Sequence, residues 1–494
     1  QGIYLVDGKG TEQLIYKHNV PARRWACHEP RPVRRRPREP VIAARVNLAR
    51  STGQLILSDV TQGRNMRGVQ PGDIQQLLIL EQLPKPANFS GGQEPLTIGG
   101  TFTLQRILGT VPVEADGSAN FEVPALKSVF FVALDSKGES VKRMHSFVTV
   151  QPGEMVSCVG CHEPRTQAPH SRRMPRLLAT AREPSKIAPI PDIPDVLDFP
   201  RDVQPILDRH CSRCHSARKH PKGINLSGDR TPFYSMSYWT MFTHRLVRDG
   251  RNGRGNSAPR SVGASASPLM KVLAGHQGRV KVSKREKRIV RLWIESGAAY
   301  PGTYGALGSG MVAVKYPQET MKRRCASCHT AREKSYRNVK KNAFYYQFGT
   351  RKPPQPLLDD PNDIILLRHL AYFQLGESRL YQSLCNMDHP EESLLLLAPL
   401  AKSAGGLQLC GGQPVFQSKS DPDYQRILRT IQAAAQELRD KKRFDMPGFR
   451  PNRFYIREMQ NYGLLPADLT PATPVDPYAT DQAYWETFRY LPKQ

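Results

Sequence analysis

The sequence predicts an α+β multidomain chain, with a β-sandwich-like domain first and two mainly α-helical modules after it. Three observations predict this. Short apolar runs separated by turn residues fill roughly the first 150 positions, as in a sandwich of short strands. A proline-rich stretch then interrupts the pattern. The motif Cys-x-x-Cys-His occurs three times, at 158–162, 211–215 and 325–329, which marks one copy for each part of the chain.

The elements follow in order. Ile3-Tyr4-Leu5-Val6 reads as a strand and Asp7-Gly8 as its turn. Pro30 to Pro40 is rich in Pro and Arg, which excludes regular structure. Apolar runs over 41–48, 54–60, 77–83, 101–107 and 109–113 predict strands. Asp116-Gly117 is a hairpin signal. Strands are expected at 119–123 and 129–134, and Asp135 to Gly138 turns the chain into another at 146–150. This first domain covers residues 1–163 and closes with the first motif.

Residues 164–200 carry eight prolines and predict a linker or an extended arm on the surface. The second module, 201–310, opens on Val203, Ile206, Leu207 and His210 at helical spacing. It closes on a helix with a Ser283/Glu286 capping box, an apolar face of Ile289, Val290, Trp293 and Ile294, and Gly297 as its stop. The third module, 311–494, is expected to hold helices at 363–375 and 391–400, the second opened by Pro390. A further helix bears Tyr424, Ile427, Leu428, Ile431 and Leu438 on one face, with its cap near Asp421. The Pro-rich, aromatic tail after Pro466 is expected to pack across the surface.

Cys-x-x-Cys-His is the attachment signature of haem c. The two thiols add to the porphyrin vinyl groups and the histidine becomes the proximal iron ligand. With 9 Cys and 13 His in 494 residues, one chance occurrence has an expected count of about 0.004. A thioredoxin-like pair does not require the trailing histidine, and a zinc site would use the cysteine pairs together, whereas the gaps here are long. The motifs therefore predict three covalent haems on Cys158 and Cys161, Cys211 and Cys214, and Cys325 and Cys328. His162, His215 and His329 are the proximal ligands. Each module built around a later motif is cytochrome c-like in outline.

Three cysteines remain. Cys385 and Cys410 flank a short helical segment and are a candidate disulfide, leaving Cys27 over. The formal charge is +27, and haem propionates lower this balance without reversing it. The basic clusters are dispersed and no nucleic-acid motif accompanies them. They predict a solvated surface that pairs propionates and, second, an acidic redox partner. No run of eighteen apolar residues exists, so no membrane span is expected. Haem c is attached outside the cytoplasm. The chain, which begins at Gln1, is therefore expected to be a mature or partial form in the periplasm, secreted or at the cell surface.

Function turns on the sixth ligand. Two strong axial ligands suit electron transfer, and an open face admits a substrate. His276 is the candidate for the second haem, with His244 and His210 as substitutes. Met446, in Arg443-Phe444-Asp445-Met446-Pro447-Gly448-Phe449, is the candidate for the third, with His389 and His369 as rivals. For the first haem His145, His28, His170 and an open site are all retained.

Val148 to Glu154 running into Ser157 to Glu163, Gly109 to Ala119, and Pro205-Ile206-Leu207 resemble the middle domain of the hydrazine synthase alpha subunit and its planctomycete relatives. The resemblance covers most of residues 1–305, and the C-terminal third, with Met446-Pro447-Gly448-Phe449, resembles an extra module of some relatives. It implies a β-rich middle domain and bis-histidine ligation of the second haem by His215 and His276. In that family the first haem is the active site, held by a tyrosine four residues past the motif histidine, and that histidine turns to a zinc ion. Here Thr166 stands at the tyrosine's position, a departure that speaks against hydrazine chemistry. Cys27 is the candidate zinc ligand near His162. The resemblance also admits an anammoxosome-type compartment.

Two function classes follow. One is a triheme electron-transfer cytochrome working with other redox proteins or subunits in a complex or homo-oligomer. The other is a redox enzyme whose open first haem acts on a small nitrogen compound or peroxide. A third reading, haems as structural staples for small domains, is weaker than either.

Overall fold

The computed structural model describes residues 2–17, 31, 33, 35, 43–88, 94–98, 101–161, 176–219, 223–248, 256–276, 280–312, 314–325 and 384–492. Two units emerge, Gln1–Arg45 and Val46–Gln494. In the first, β1 (Gly2–Val6) pairs antiparallel with β2 (Glu12–Lys17). The Asp7 carboxylate caps the turn by accepting from the Lys9 and Thr11 N–H groups, at 2.8 and 2.9 Å.

The second unit begins with two sheets. β3 (Thr52–Leu57), β6 (Ala119–Pro124) and β9 (Met155–Cys158) form one, in the order β6-β3-β9. β4 (Gln76–Gln82), β5 (Gln105–Pro112), β7 (Val129–Leu134) and β8 (Ser140–Arg143) form the other, in the order β5-β4-β7-β8. Leu55, Phe121 and Val123 from the first sheet share a core with Leu77, Ile79, Val111, Val129 and Ala133 from the second. Phe121 meets Phe131 edge to face at 5.6 Å.

β4 and β7 are almost continuously apolar because both of their faces are covered. Alternate residues Leu78, Leu80, Phe130, Val132 and Leu134 point away from the sandwich into a second core. That core is built by α1 (Gln204–His210), α2 (Met236–Thr243), α3 (Pro268–Ala274) and α4 (Lys284–Glu295). The helical module thus sits as a third layer on the four-stranded sheet.

The expected α4 is present with its reciprocal cap. Ser283 Oγ accepts from the Glu286 N–H at 3.1 Å and Glu286 Oε2 accepts from the Ser283 N–H at 2.9 Å. Gly297 follows at φ +93°, a conformation that glycine takes without a Cβ penalty.

After α5 (Gln318–Cys325) and the single-turn α6 (Leu394–Leu397) comes α7 (Pro422–Lys441). Asp421 caps α7, as expected, accepting from the Asp423 and Tyr424 N–H groups. Tyr424, Ile427, Ile431 and Leu438 fill a third core with Tyr316, Met321, Leu396 and Phe416. α8 (Arg453–Asn461) and α9 (Pro477–Glu486) end the chain.

Several expectations need correction. Residues 43–48 form no strand. The runs at 101–107 and 109–113 become the single strand β5, bulged where Ile79 pairs with Gly109 but Leu80 with Ile107. The segment 146–150 contributes only a bridge from Val148 to Val129, and β8 and β9 take its place. The tail does not merely cross the surface. Trp485 is 1% exposed, in a core with Leu83, Leu104, Tyr304 and Tyr455. The expected helix at 363–375 lies outside the described residues. No described helix is long and apolar enough to cross a membrane.

Candidate haem-attachment sites

The second motif is the most fully defined. α1 runs directly into it: the Cys211 N–H donates to Leu207 O at 2.7 Å. The N–H groups of Cys214 and His215 both donate to Cys211 O at 3.0 Å, which folds the five residues into a tight turn. Cys211 is buried in the helical core and Cys214 is exposed. Burial, with Asp208 and Cys214 adding to it, pushes the Cys211 thiol up to about 11.

His215 is oriented from two sides. Its Nδ1 lies 3.1 Å from Ile224 O, and its own carbonyl accepts from the Leu226 N–H at 2.8 Å. A carbonyl only accepts, so Nδ1 carries the proton and Nε2 keeps its lone pair for a metal. His276, in the loop after α3, faces it with ring centres 6.3 Å apart and planes at 53°. Two imidazoles sharing one metal stand about 6.2 Å apart, from about 2.0 Å of metal–nitrogen distance and about 1.1 Å of ring radius on each side. The spacing and the donor set fit an iron with two axial histidines.

The two substitutes have different surroundings. His210 turns to Glu286 at the start of α4, with Nε2 3.2 Å from Oε1. Burial opposes ionisation of Glu286, but the Ser283 N–H and hydroxyl, Arg209 and His210 outweigh it and hold the carboxyl down to about 2. His244 follows α2, and a Cβ on Gly223 would lie 3.6 Å from its Cε1.

The first motif grows out of the sandwich. Cys158 is the last residue of β9 and pairs in parallel register with Leu57. Carbonyls of Cys158 and Val159 accept from the Ser58 and Asp59 N–H groups, at 2.9 and 3.1 Å. The Cys161 N–H donates to Gln62 O at 2.6 Å. This approach leaves no room for side chains: a Cβ on Gly63, at φ +149°, would lie 1.8 Å from Cys161 O. Both thiols are half-buried at the sheet end, a donor pair that fits porphyrin attachment. His145 is exposed between β8 and the Val148 bridge. Cys27, His28, His162, Thr166 and His170 lie outside the described residues.

The third motif starts at Cys325, which ends α5 as His210 ends α1, and packs against the third core. Arg323 and Arg324 of this turn pair with Asp423 and Asp421 at the start of α7, at 2.6 and 2.9 Å. Met446 packs against the same core as Cys325, and its Sδ accepts from the Arg443 N–H at 3.4 Å. His389 precedes a short helical turn and its N–H donates to Asn386 Oδ1. Cys328, His329 and His369 are outside the described residues. Cys385 is fully buried beside the Tyr316 hydroxyl, and Cys410 is half-buried.

Sequence reasoning missed how the Met446 loop is anchored. Arg443 is 2% exposed, and its guanidinium donates to Asp445 and to Thr231 O, each at 2.8 Å. The Tyr300 hydroxyl donates to Asp445 Oδ2 at 2.8 Å, and Phe444 packs on Tyr300 at 5.4 Å. The loop therefore spans two cores, Phe444 against the second and Met446 against the third.

The sandwich thus ends in one Cys-x-x-Cys-His motif, and the helical layer carries a second whose histidine lies beside His276. Residues 63–163 match the family model of the hydrazine synthase alpha subunit middle domain, and the chain is related to that subunit through this segment. A solved structure, the hydrazine synthase of Kuenenia stuttgartiensis, is similar at 20% identity and a TM-score of 0.40, over 51% of this chain and 44% of that one. The chain thus spans less than half the length of that protein. No curated protein matches.

Proposed function

We propose that this protein is a triheme c-type cytochrome that carries electrons in an extracytoplasmic redox chain or assembly. The observation that carries the reading is the pair of facing rings, His215 and His276, at a spacing one iron would bridge. Haem, when bound, supplies reversible one-electron exchange. The residues of the chain hold and orient it. Cys211 and Cys214 form the thioether links, Ile224 O fixes the His215 tautomer, and the loop after α3 presents His276. Met446 would serve the third haem, together with Cys325, Cys328 and His329. The partners are other redox proteins or subunits, acidic ones suiting the +27 charge.

A second reading rests on the kinship of residues 63–163 with the synthase middle domain. It makes the first site, at Cys158, Cys161 and His162, an open haem acting on a small nitrogen compound or peroxide, with Cys27 beside a zinc ion.

Low-temperature electron spin resonance of the oxidised protein separates the two. Electron transfer predicts three low-spin haems, with His276→Ala converting one of them to high spin. A high-spin haem in the unsubstituted protein that shifts on adding cyanide or nitric oxide favours the enzyme. A His276→Ala spectrum identical to the parent's removes the bis-histidine assignment.

A further inference from the structure

We infer that Lys142 is a positioning residue of the first haem site, a fixed buried positive charge that raises the reduction potential of the group held by Cys158 and Cys161. The inference rests on reading that motif as a haem site.

Lys142 lies on β8 and is 3% exposed. Its Nζ lies 3.0 Å from Asn65 O, 2.8 Å from Asn256 Oδ1 and 2.6 Å from Ser257 O. All three partners are acceptors. The Asn256 amide is oriented by its own Nδ2, which donates to Arg64 O at 3.0 Å, so Oδ1 is the atom facing Lys142. A neutral amine has two N–H groups, and three acceptors call for three, so the side chain is the ammonium. Among the described residues no carboxylate pairs with it, and burial, the largest influence, lowers its pKa from the ordinary lysine value, with Arg64 adding to this.

The segment Gln62–Asn65 ties this cation to the motif. At one end Gln62 O accepts from the Cys161 N–H and Gly63 abuts Cys161 O. At the other end Asn65 O accepts from Lys142. If Lys142 served only to join the 62–65 loop to Asn256 and Ser257, a neutral donor would do so without the desolvation cost of an ion. An uncompensated charge in a low-dielectric setting acts over longer distances than a surface charge. Reduction adds one negative charge at the iron, so a nearby cation favours the reduced form.

The test uses the complete holoprotein with Lys142→Gln and Lys142→Arg. Gln keeps donors and fits the space; Arg keeps the charge. A Cys158→Ala/Cys161→Ala variant identifies the first haem's wave by its loss from a spectroelectrochemical titration. The expected result is a lower midpoint for that wave alone in Lys142→Gln, with the parent midpoint kept in Lys142→Arg. An unchanged midpoint in Lys142→Gln, with haem confirmed on the Cys158–Cys161 peptide by mass, overturns the inference. A parent peptide without haem overturns the haem reading beneath it, so the two failures look different. A Lys142→Gln chain that unfolds or loses all three haems equally assigns Lys142 a structural role and also overturns the inference.

Discussion

Replacing Arg443 with Met tests how the Met446 loop is held. The guanidinium makes two 2.8 Å contacts with the Asp445 carboxylate, one with Thr231 O, and lies 5.6 Å from the centre of the Tyr300 ring. Met fills much of the volume but leaves Asp445, whose side chain is 6% exposed, without its main counter-charge. Arg230 at 3.6 Å and the Tyr300 hydroxyl remain to it. Removing one member of a buried ion pair costs about 3–5 kcal/mol, and the residual partners place this case near 3. Converting both members, Arg443→Met with Asp445→Leu, should cost less than the single change, because no charge is stranded. Denaturant unfolding followed by circular dichroism measures both. A single-variant loss below about 1 kcal/mol would refute the reasoning. Burial opposes ionisation of Asp445, but Arg443 outweighs it and keeps the carboxyl below the usual range. The pair's stabilisation is therefore complete above about pH 4 and is lost only as the pH falls through the lower folded value.

Other outcomes follow from single contacts. Gly63→Ala puts a Cβ against Cys161 O, so haem loading at the first motif should fall while the other two motifs load normally, as peptide mass mapping will show. Ser283→Ala removes the α4 cap and should cost about 1 kcal/mol in thermal unfolding. Asp481 accepts from Thr303, Tyr304 and Tyr455, yet burial pushes its carboxyl up to about 6. A raised folded value means the native state holds the proton more tightly, so stability should fall as the pH climbs from about 4 to about 6, by up to about 3 kcal/mol. Asp481→Asn should flatten that slope, and an unchanged melting profile across the window would count against it. Trp485→Ala should cost about 3–5 kcal/mol by opening the core under the tail.

Much of the fold was legible because local chemistry and tertiary packing agree. The Ser283/Glu286 box and the 3.6-residue apolar face give α4 its start and inward side. Asp421 and the stripe from Tyr424 to Leu438 do the same for α7. The unbroken apolar runs of β4 and β7 signalled strands, but not that their second face carries the helical layer. β8 was hidden because Lys142 and Arg143 occupy buried strand positions, where sequence patterns lead one to expect apolar residues. The tail's Pro and Tyr content suggested surface packing, whereas Asp481 and Trp485 bury it. In the candidate sites, the cysteine spacing was fully visible in the sequence. His276 was named from the sequence as the candidate opposite His215 although it lies about sixty residues further on, whereas no pattern in the sequence located the Lys142 side chain.

Everything about the sites depends on covalent porphyrin at the three motifs. The most direct measurement is the intact mass and pyridine haemochrome content of the chain produced in a host with the haem-attachment machinery. Three haems per chain, mapped to the peptides holding Cys158 and Cys161, Cys211 and Cys214, and Cys325 and Cys328, is the predicted result. An unmodified mass with no haemochrome band would contradict it.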